Sequence, residues 1–247
     1  MKYLVVADLH YTLKQLDWVN LAAQDFDLVI IAGDLLDIAS VVELDVQILV
    51  VMKYLKQIQP RTRLLTCSGN HDGDERNSGD ESVAQWMQEA RADGVLVDGD
   101  WFERDGCLFT ICPWWDGPQT KAEVAALLQR DSLRPKNHWV WVYHAPPNGS
   151  PVSWTGKKYF GDSDLAGWID QYRPQMVLSG HVHDAPFRKD GSWVDRIGST
   201  WVFNMGRQIG PSPTHIIIDT ESATASWYSL AGNEQIHLDR DLLKESI

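Results

Sequence analysis

For its first two-thirds the chain alternates short apolar runs with longer amphipathic segments, and this rhythm is the strongest constraint on its fold. Short apolar runs bounded by turn residues fit strands buried on both faces, and the segments between them carry the period of helices. The class is therefore α/β. Strands are expected at residues 3–7, 28–32, 63–67, 95–97, 108–112, 139–143, 176–178, 200–203 and 215–218, with another near 225–229. Helices are expected near 12–24, 41–59, 82–92, 121–130 and 164–172. From about residue 186 the pattern changes to short, turn-punctuated runs (FRKDGSWVDR, STWVFNMG, THIIID, TASWYSL). That change suggests a second, mostly antiparallel sheet, with KDGS at 189–192 as a hairpin turn because Asp-Gly tolerates positive φ.

A chain of 247 residues is expected to form one domain over 1–247. The net charge of −12 argues against a surface built to neutralise a nucleic-acid backbone. Cys67, Cys107 and Cys112 are odd in number and form no C-x-x-C pair, so reduced buried thiols and a cytoplasmic location are expected. The N-terminal apolar run is broken by Asp8 and His10 too early for a signal peptide, and no run approaches the ~18 apolar residues of a membrane span. Nothing in the sequence sets an oligomeric state.

The expected strands tend to end alike. Residues 3–7 run into Asp8-Leu9-His10, 28–32 into Gly33-Asp34, and 63–67 into Ser68-Gly69-Asn70-His71-Asp72. Residues 139–143 run into His144, and 176–178 into Ser179-Gly180-His181-Val182-His183. Five of the 8 histidines sit at these ends. In open α/β sheets the carboxyl ends of strands are where ligands bind. Glycines just before Asp34, Asn70 and His181 permit sharp turns and close backbone approach. Two histidines one residue apart point to one face of a strand, which leaves open whether His181 and His183 share one ion or serve two. Oxygen and imidazole donors without thiolate suit Mn, Fe, Zn or Co. A lone D-x-H is often a turn and a lone G-H-x-H an exposed loop, but seven ligand-competent residues at strand ends leave little room for coincidence.

The ordered blocks D-x-H, G-D, G-N-H-D, H and G-H-x-H, from Asp8 to His183, resemble the calcineurin-like metallophosphoesterases. The resemblance implies a four-layer αββα sandwich of two mixed β-sheets. It implies two divalent or trivalent transition-metal ions, one held by Asp8, His10 and His183 and the other by Asn70, His144 and His181, with Asp34 between them. A metal-bridging hydroxide would attack phosphorus, with His71 donating to a phosphate oxygen and Asp72 orienting the His71 ring. Asn204, in an Asn-x-Gly after a later strand, would close the site. Asp37 would either bond a ligand or cap a helix, and Arg207 would meet phosphate charge.

The implied activity is metal-dependent hydrolysis of a small phosphate ester, with diesters ahead of monoesters because the string is also that of the family's class III cyclic-nucleotide phosphodiesterases. The alternatives are a DNA or RNA nuclease of the same superfamily and a non-catalytic scaffold with this fold. Most of the 12 tryptophans are expected in the core, but CPWWDGP and Trp154 lie on loops placed to rim the site and stack on a base or aryl group. Lys157 and Lys158 are expected on a solvated face, and His138, His215 and His237 on the surface or in satisfied core positions.

Overall fold

The structure is a computed structural model, and it describes residues 1–239. In chain order the strands are β1 (Lys2–Val6), β2 (Leu28–Ala32), β3 (Arg63–Cys67), β4 (Glu75–Arg76), β5 (Ser82–Val83), β6 (Trp101–Arg104) and β7 (Cys107–Ile111). They continue with β8 (His138–Val142), β9 (Met176–Ser179), β10 (Val194–Ile197), β11 (Thr200–Asn204), β12 (His215–Asp219), β13 (Thr224–Ser229) and β14 (Gly232–His237). The helices are α1 (Leu13–Ala22), α2 (Leu44–Ile58), α3 (Met87–Ala92), α4 (Pro118–Ser132) and α5 (Ser163–Tyr172).

Two six-stranded mixed sheets form the centre, ordered β14-β13-β12-β1-β2-β3 and β10-β11-β9-β8-β7-β6. Within them β1, β2 and β3 run parallel to one another, as do β7, β8, β9 and β11. Side-chain alternation creates the layers. Tyr3 and Val5 of β1 face the inter-sheet core with Phe109, Val142 and Leu178, whereas Leu4 and Val6 face Leu16, Val51 and Leu55 of α1 and α2. On the other outer face Trp139, Trp141 and Val177 pack on Val124 and Leu128 of α4 and Ile169 of α5. Helices thus cover both outer faces, as the αββα expectation required.

The C-terminal expectation needs correction. The late strands do not make a sheet of their own: β10 and β11 extend the second sheet, and β12 to β14 extend the first. KDGS does form a turn, with Asp190 at φ 66°, but it joins a short 3-10 turn (Ala185–Phe187) to β10. The hairpin is instead β10–β11, closed at Gly198-Ser199. Residues 95–97 contribute only a bridge from Leu96 to Leu65, and the helix expected from residue 82 begins at Met87 because Ser82–Val83 pairs with Glu75–Arg76.

Candidate metal centre

Five loops leave the carboxyl ends of β1, β2, β3, β8 and β9 and meet over one edge of the inter-sheet core. They are stitched together by backbone bonds from Asp8 N to Gly33 O (3.1 Å), His10 N to Asp34 O (2.9 Å) and Gly180 N to His144 O (2.8 Å). Asp8, His10, Asp34 and His181 all have positive φ, between 41° and 68°. Such backbone is costly for non-glycine residues and is tolerated best by Asp, Asn and His. The glycines serve close approach: a Cβ on Gly33 would strike the His144 ring, one on Gly69 the Asp34 carboxylate, and one on Gly180 the Asp8 carboxylate.

The structure brings every expected ligand into this region. Asp8, His10, Asp34 and His183 place one ligand atom each within 4.8 Å of all the others. His183 Nε2 lies 3.3 Å from Asp8 Oδ1, and His10 Nε2 lies 3.6 Å from Asp34 Oδ2. Asn70 Oδ1 is 2.9 Å from His181 Nδ1, and the His144 and His181 rings are 5.2 Å apart. His144 donates Nδ1–H to the Ala32 carbonyl at 2.8 Å, which fixes the tautomer and turns Nε2 toward the site.

The site suits cations. Asp8 and Asp34 are wholly buried, yet both are held below the ordinary carboxylate range: burial alone would raise them, but His183 and His144 outweigh it. His144 is raised to about 9, since Asp34 and Asp8 overcome the opposing effect of burial. A proton on His144 therefore does there what a metal ion would do, compensating two buried negative charges. His144 Nε2 has no hydrogen-bond partner and points at Asp34 Oδ2 at 3.2 Å, while His10 Nε2 and His183 Nε2 face each other at 3.0 Å. Burial lowers His10 and His181 to about 4, favouring neutral, ligand-competent rings. An unpartnered His144 Nε2 and further imidazole nitrogens gathered about two buried carboxylates fit transition-metal ions.

The remaining expected residues divide. His71 is half-buried, with its ring centroid 4.5 Å from that of His10. The expected Asp72–His71 pair is not formed. Asp72 accepts the backbone N–H of Asp34 and Gly69 (both 2.8 Å) and of Leu35 and Leu36 (both 2.9 Å), leaving no oxygen for the ring. His71 Nδ1 instead accepts the Ile38 N–H at 3.3 Å, with Asp37 Oδ1 at 3.7 Å. Asp37 caps no helix; its Oδ1 accepts the Ala39 N–H. Asn204 donates to Val182 O, between the two histidines, and to Val152 O, and accepts the Gly206 N–H. The Arg207 side chain acts electrostatically on His10 and has no hydrogen bond or ion pair among the described residues. Phe160, unforeseen in the sequence, stacks on His181 at 5.2 Å and 20°, and Trp114 of CPWWDGP lies 5.4 Å from the same ring. An exposed aromatic in a long loop carries no sequence signal of such a contact.

Several solved structures share this fold. The protein TT1561 of Thermus thermophilus is 14% identical with a TM-score of 0.60, over 96% of this chain and 98% of that one. Purple acid phosphatase PPD1 from yellow lupin (Lupinus luteus) seeds is 14% identical with a TM-score of 0.56, over 99% of this chain and 55% of that one. No curated protein matches the chain. Residues 1–185 match the family model of the calcineurin-like phosphoesterases, so the chain belongs to that metal-dependent family. No helix among the described residues is long and apolar enough to cross a membrane.

Proposed function

We propose that residues 1–247 form one domain, a binuclear-metal phosphoesterase that hydrolyses small phosphodiesters in preference to phosphomonoesters. The observation that carries this reading is the convergence of two buried carboxylates and four imidazoles, His10, His144, His181 and His183, at one edge of the inter-sheet core. Asp8, His10 and His183 would hold one Mn, Fe, Zn or Co ion, Asn70, His144 and His181 the other, and Asp34 would lie between them. When bound, such ions act as Lewis acids toward phosphoryl oxygens and bring the pKa of water near neutrality.

The chain's own residues supply the rest. Because His71 Nδ1 accepts the Ile38 N–H, the neutral ring carries its proton on Nε2, where it would donate to a phosphoryl oxygen. Arg207, free of competing partners among the described residues, would meet the phosphate charge. Asn204 holds the His181–His183 segment through the Val182 carbonyl. The free buried thiols Cys67, Cys107 and Cys112 are compatible with a cytoplasmic location.

The test is hydrolysis of bis(p-nitrophenyl) phosphate and p-nitrophenyl phosphate by Mn²⁺-loaded protein, with metal content measured alongside. Asp34→Asn should lose metal and rate together, whereas His71→Ala should keep its metal and lose about 10²–10³ in kcat. Wild-type turnover no faster than that of His71→Ala would overturn the reading. Linear DNA degraded faster than small diesters would make the nuclease alternative the better one.

A further inference from the structure

Beside His181 the structure opens into a cavity of about 530 Å³ with an unusual lining. Its walls are the aromatic rings of Trp114, Trp115, Tyr143 and Phe160, and the ionic side chains among them are all acidic: Asp116, Asp162 and Asp164. The His181 ring also lines it, and both Phe160 and Trp114 pack against that ring. Whatever occupies the cavity is therefore adjacent to the proposed metal site.

The polar chemistry of the walls narrows the occupant. Asp162, 8% exposed, takes all its hydrogen bonds from neutral donors: Trp115 Nε1 at 2.8 Å, the Tyr143 hydroxyl at 2.7 Å and the N–H groups of Asp164 and Leu165. The two side-chain donors are thereby consumed, and their bonds to a carboxylate push electron density into the indole and phenol rings. Electron-rich ring faces attract cations. Two lysines lie at the margin: Lys121 pairs with Asp164 at 3.0 Å with its Nζ 5.4 Å from the Trp115 centroid, and Lys158 Nζ sits 5.3 Å from the Phe160 centroid. Both contacts show that these rings accommodate an ammonium group. A nucleobase needs donors for its ring nitrogens and carbonyls, and the Trp115 N–H and the Tyr143 O–H are spent on Asp162. A second phosphate would meet the Asp116 and Asp162 carboxylates beside Asp164, which Lys121 pairs. A quaternary ammonium needs neither donor nor acceptor, only ring faces and negative charge.

We infer that this cavity is a subsite for a quaternary alkylammonium group, and that the substrate class is a phosphodiester with one such amino alcohol. The inference rests on the phosphoesterase reading for its reaction but not for its binding. Hydrolysis of such a diester breaks one P–O bond. Water leaves its OH on phosphorus and its proton on the departing alcohol.

The test separates charge from shape. Isothermal titrations of the full chain would compare glycerophosphocholine, its uncharged 3,3-dimethylbutyl analogue of the same shape, and adenosine 5′-monophosphate. Each is measured in chelator and again on metal-loaded His71→Ala. The choline ester should bind about 5–30-fold more tightly than the uncharged analogue. Phe160→Leu, at a side chain 50% exposed, and Asp116→Asn should each shrink that preference while the protein keeps its fold, checked by circular dichroism. Equal affinity for the charged and uncharged esters, tighter binding of the nucleotide, or no binding of any probe would overturn the inference. Failure of the phosphoesterase reading looks different: the charge preference persists, but wild-type protein does not turn over bis(p-nitrophenyl) phosphate.

Discussion

Asp72 shows how much of a site is decided by a residue whose oxygens face only backbone N–H groups. Its carboxylate, with no exposed surface, is shared by four backbone N–H groups from the Asp34–Leu36 and Gly69 turns. The side chain thus locks two loops that carry candidate ligands to each other and leaves His71 to Ile38 and Asp37. Asp72→Ala would strand four buried donors, each worth about 1–3 kcal/mol, so a loss of more than about 4 kcal/mol is expected by denaturant melts. Asp72→Asn keeps one oxygen acceptor and should fall between the two. A variant with wild-type stability and a depressed rate would instead support an Asp72–His71 pair.

At the scale of elements, α4 is fastened to the second sheet through one acid. Asp131, fully buried, accepts Arg130 Nε (2.8 Å), Arg134 Nε (2.7 Å) and the Thr110 hydroxyl of β7 (2.9 Å), and that hydroxyl accepts Trp139 Nε1 of β8 (2.8 Å). Burial by itself would raise this carboxyl, but the bonds from Arg130, Arg134 and Thr110 outweigh it and hold it below its ordinary value. A carboxyl lowered in the folded state stabilises above its unfolded pKa of 3.8 and loses that contribution as pH falls through the folded value. Denaturant melts of wild type and Asp131→Ala should therefore differ by on the order of 3 kcal/mol from about pH 5 upward. The gap should narrow below pH 3.8, and a gap that widens on acidification would contradict the assignment.

Asp131 also shows where sequence reading stops. An acid beside Arg130 and one turn from Arg134 reads as a solvated helix face, and only the docking of α4 turns it inward. The ligand loops were legible because apolar runs ending in Asp, Asn or His repeat along the chain and need no knowledge of partners. Phe160, the Asp72 clamp and the division of β10 to β14 between two sheets were not, because each depends on which distant segment lies alongside. Period gives a strand its faces, but its neighbour is chosen by packing.

For the whole molecule, the decisive fact is that the candidate ligands come from both sheets. Asp8, Asp34 and Asn70 follow strands of the first sheet, and His144, His181 and His183 follow strands of the second. The interface between the sheets is otherwise apolar, held by residues such as Val5, Ile30, Phe109, Val142 and Leu178. At its ligand-bearing edge two buried carboxylates and a cluster of imidazoles take over, and bound ions would tie one sheet to the other. A ligand that binds only the folded state stabilises it by mass action, about 2.7 kcal/mol at a free concentration one hundred times Kd. For a chain of this size that is a Tm change of roughly 5–10 °C. Chelation should therefore lower the Tm of the wild type by about this amount, reversibly on adding Mn²⁺. Asp34→Asn should melt at one temperature with or without chelator, because its carboxylate would no longer join the two halves of the site. A wild-type Tm unmoved after elemental analysis confirms metal removal would show that packing alone holds the sheets together and that the ions serve chemistry only.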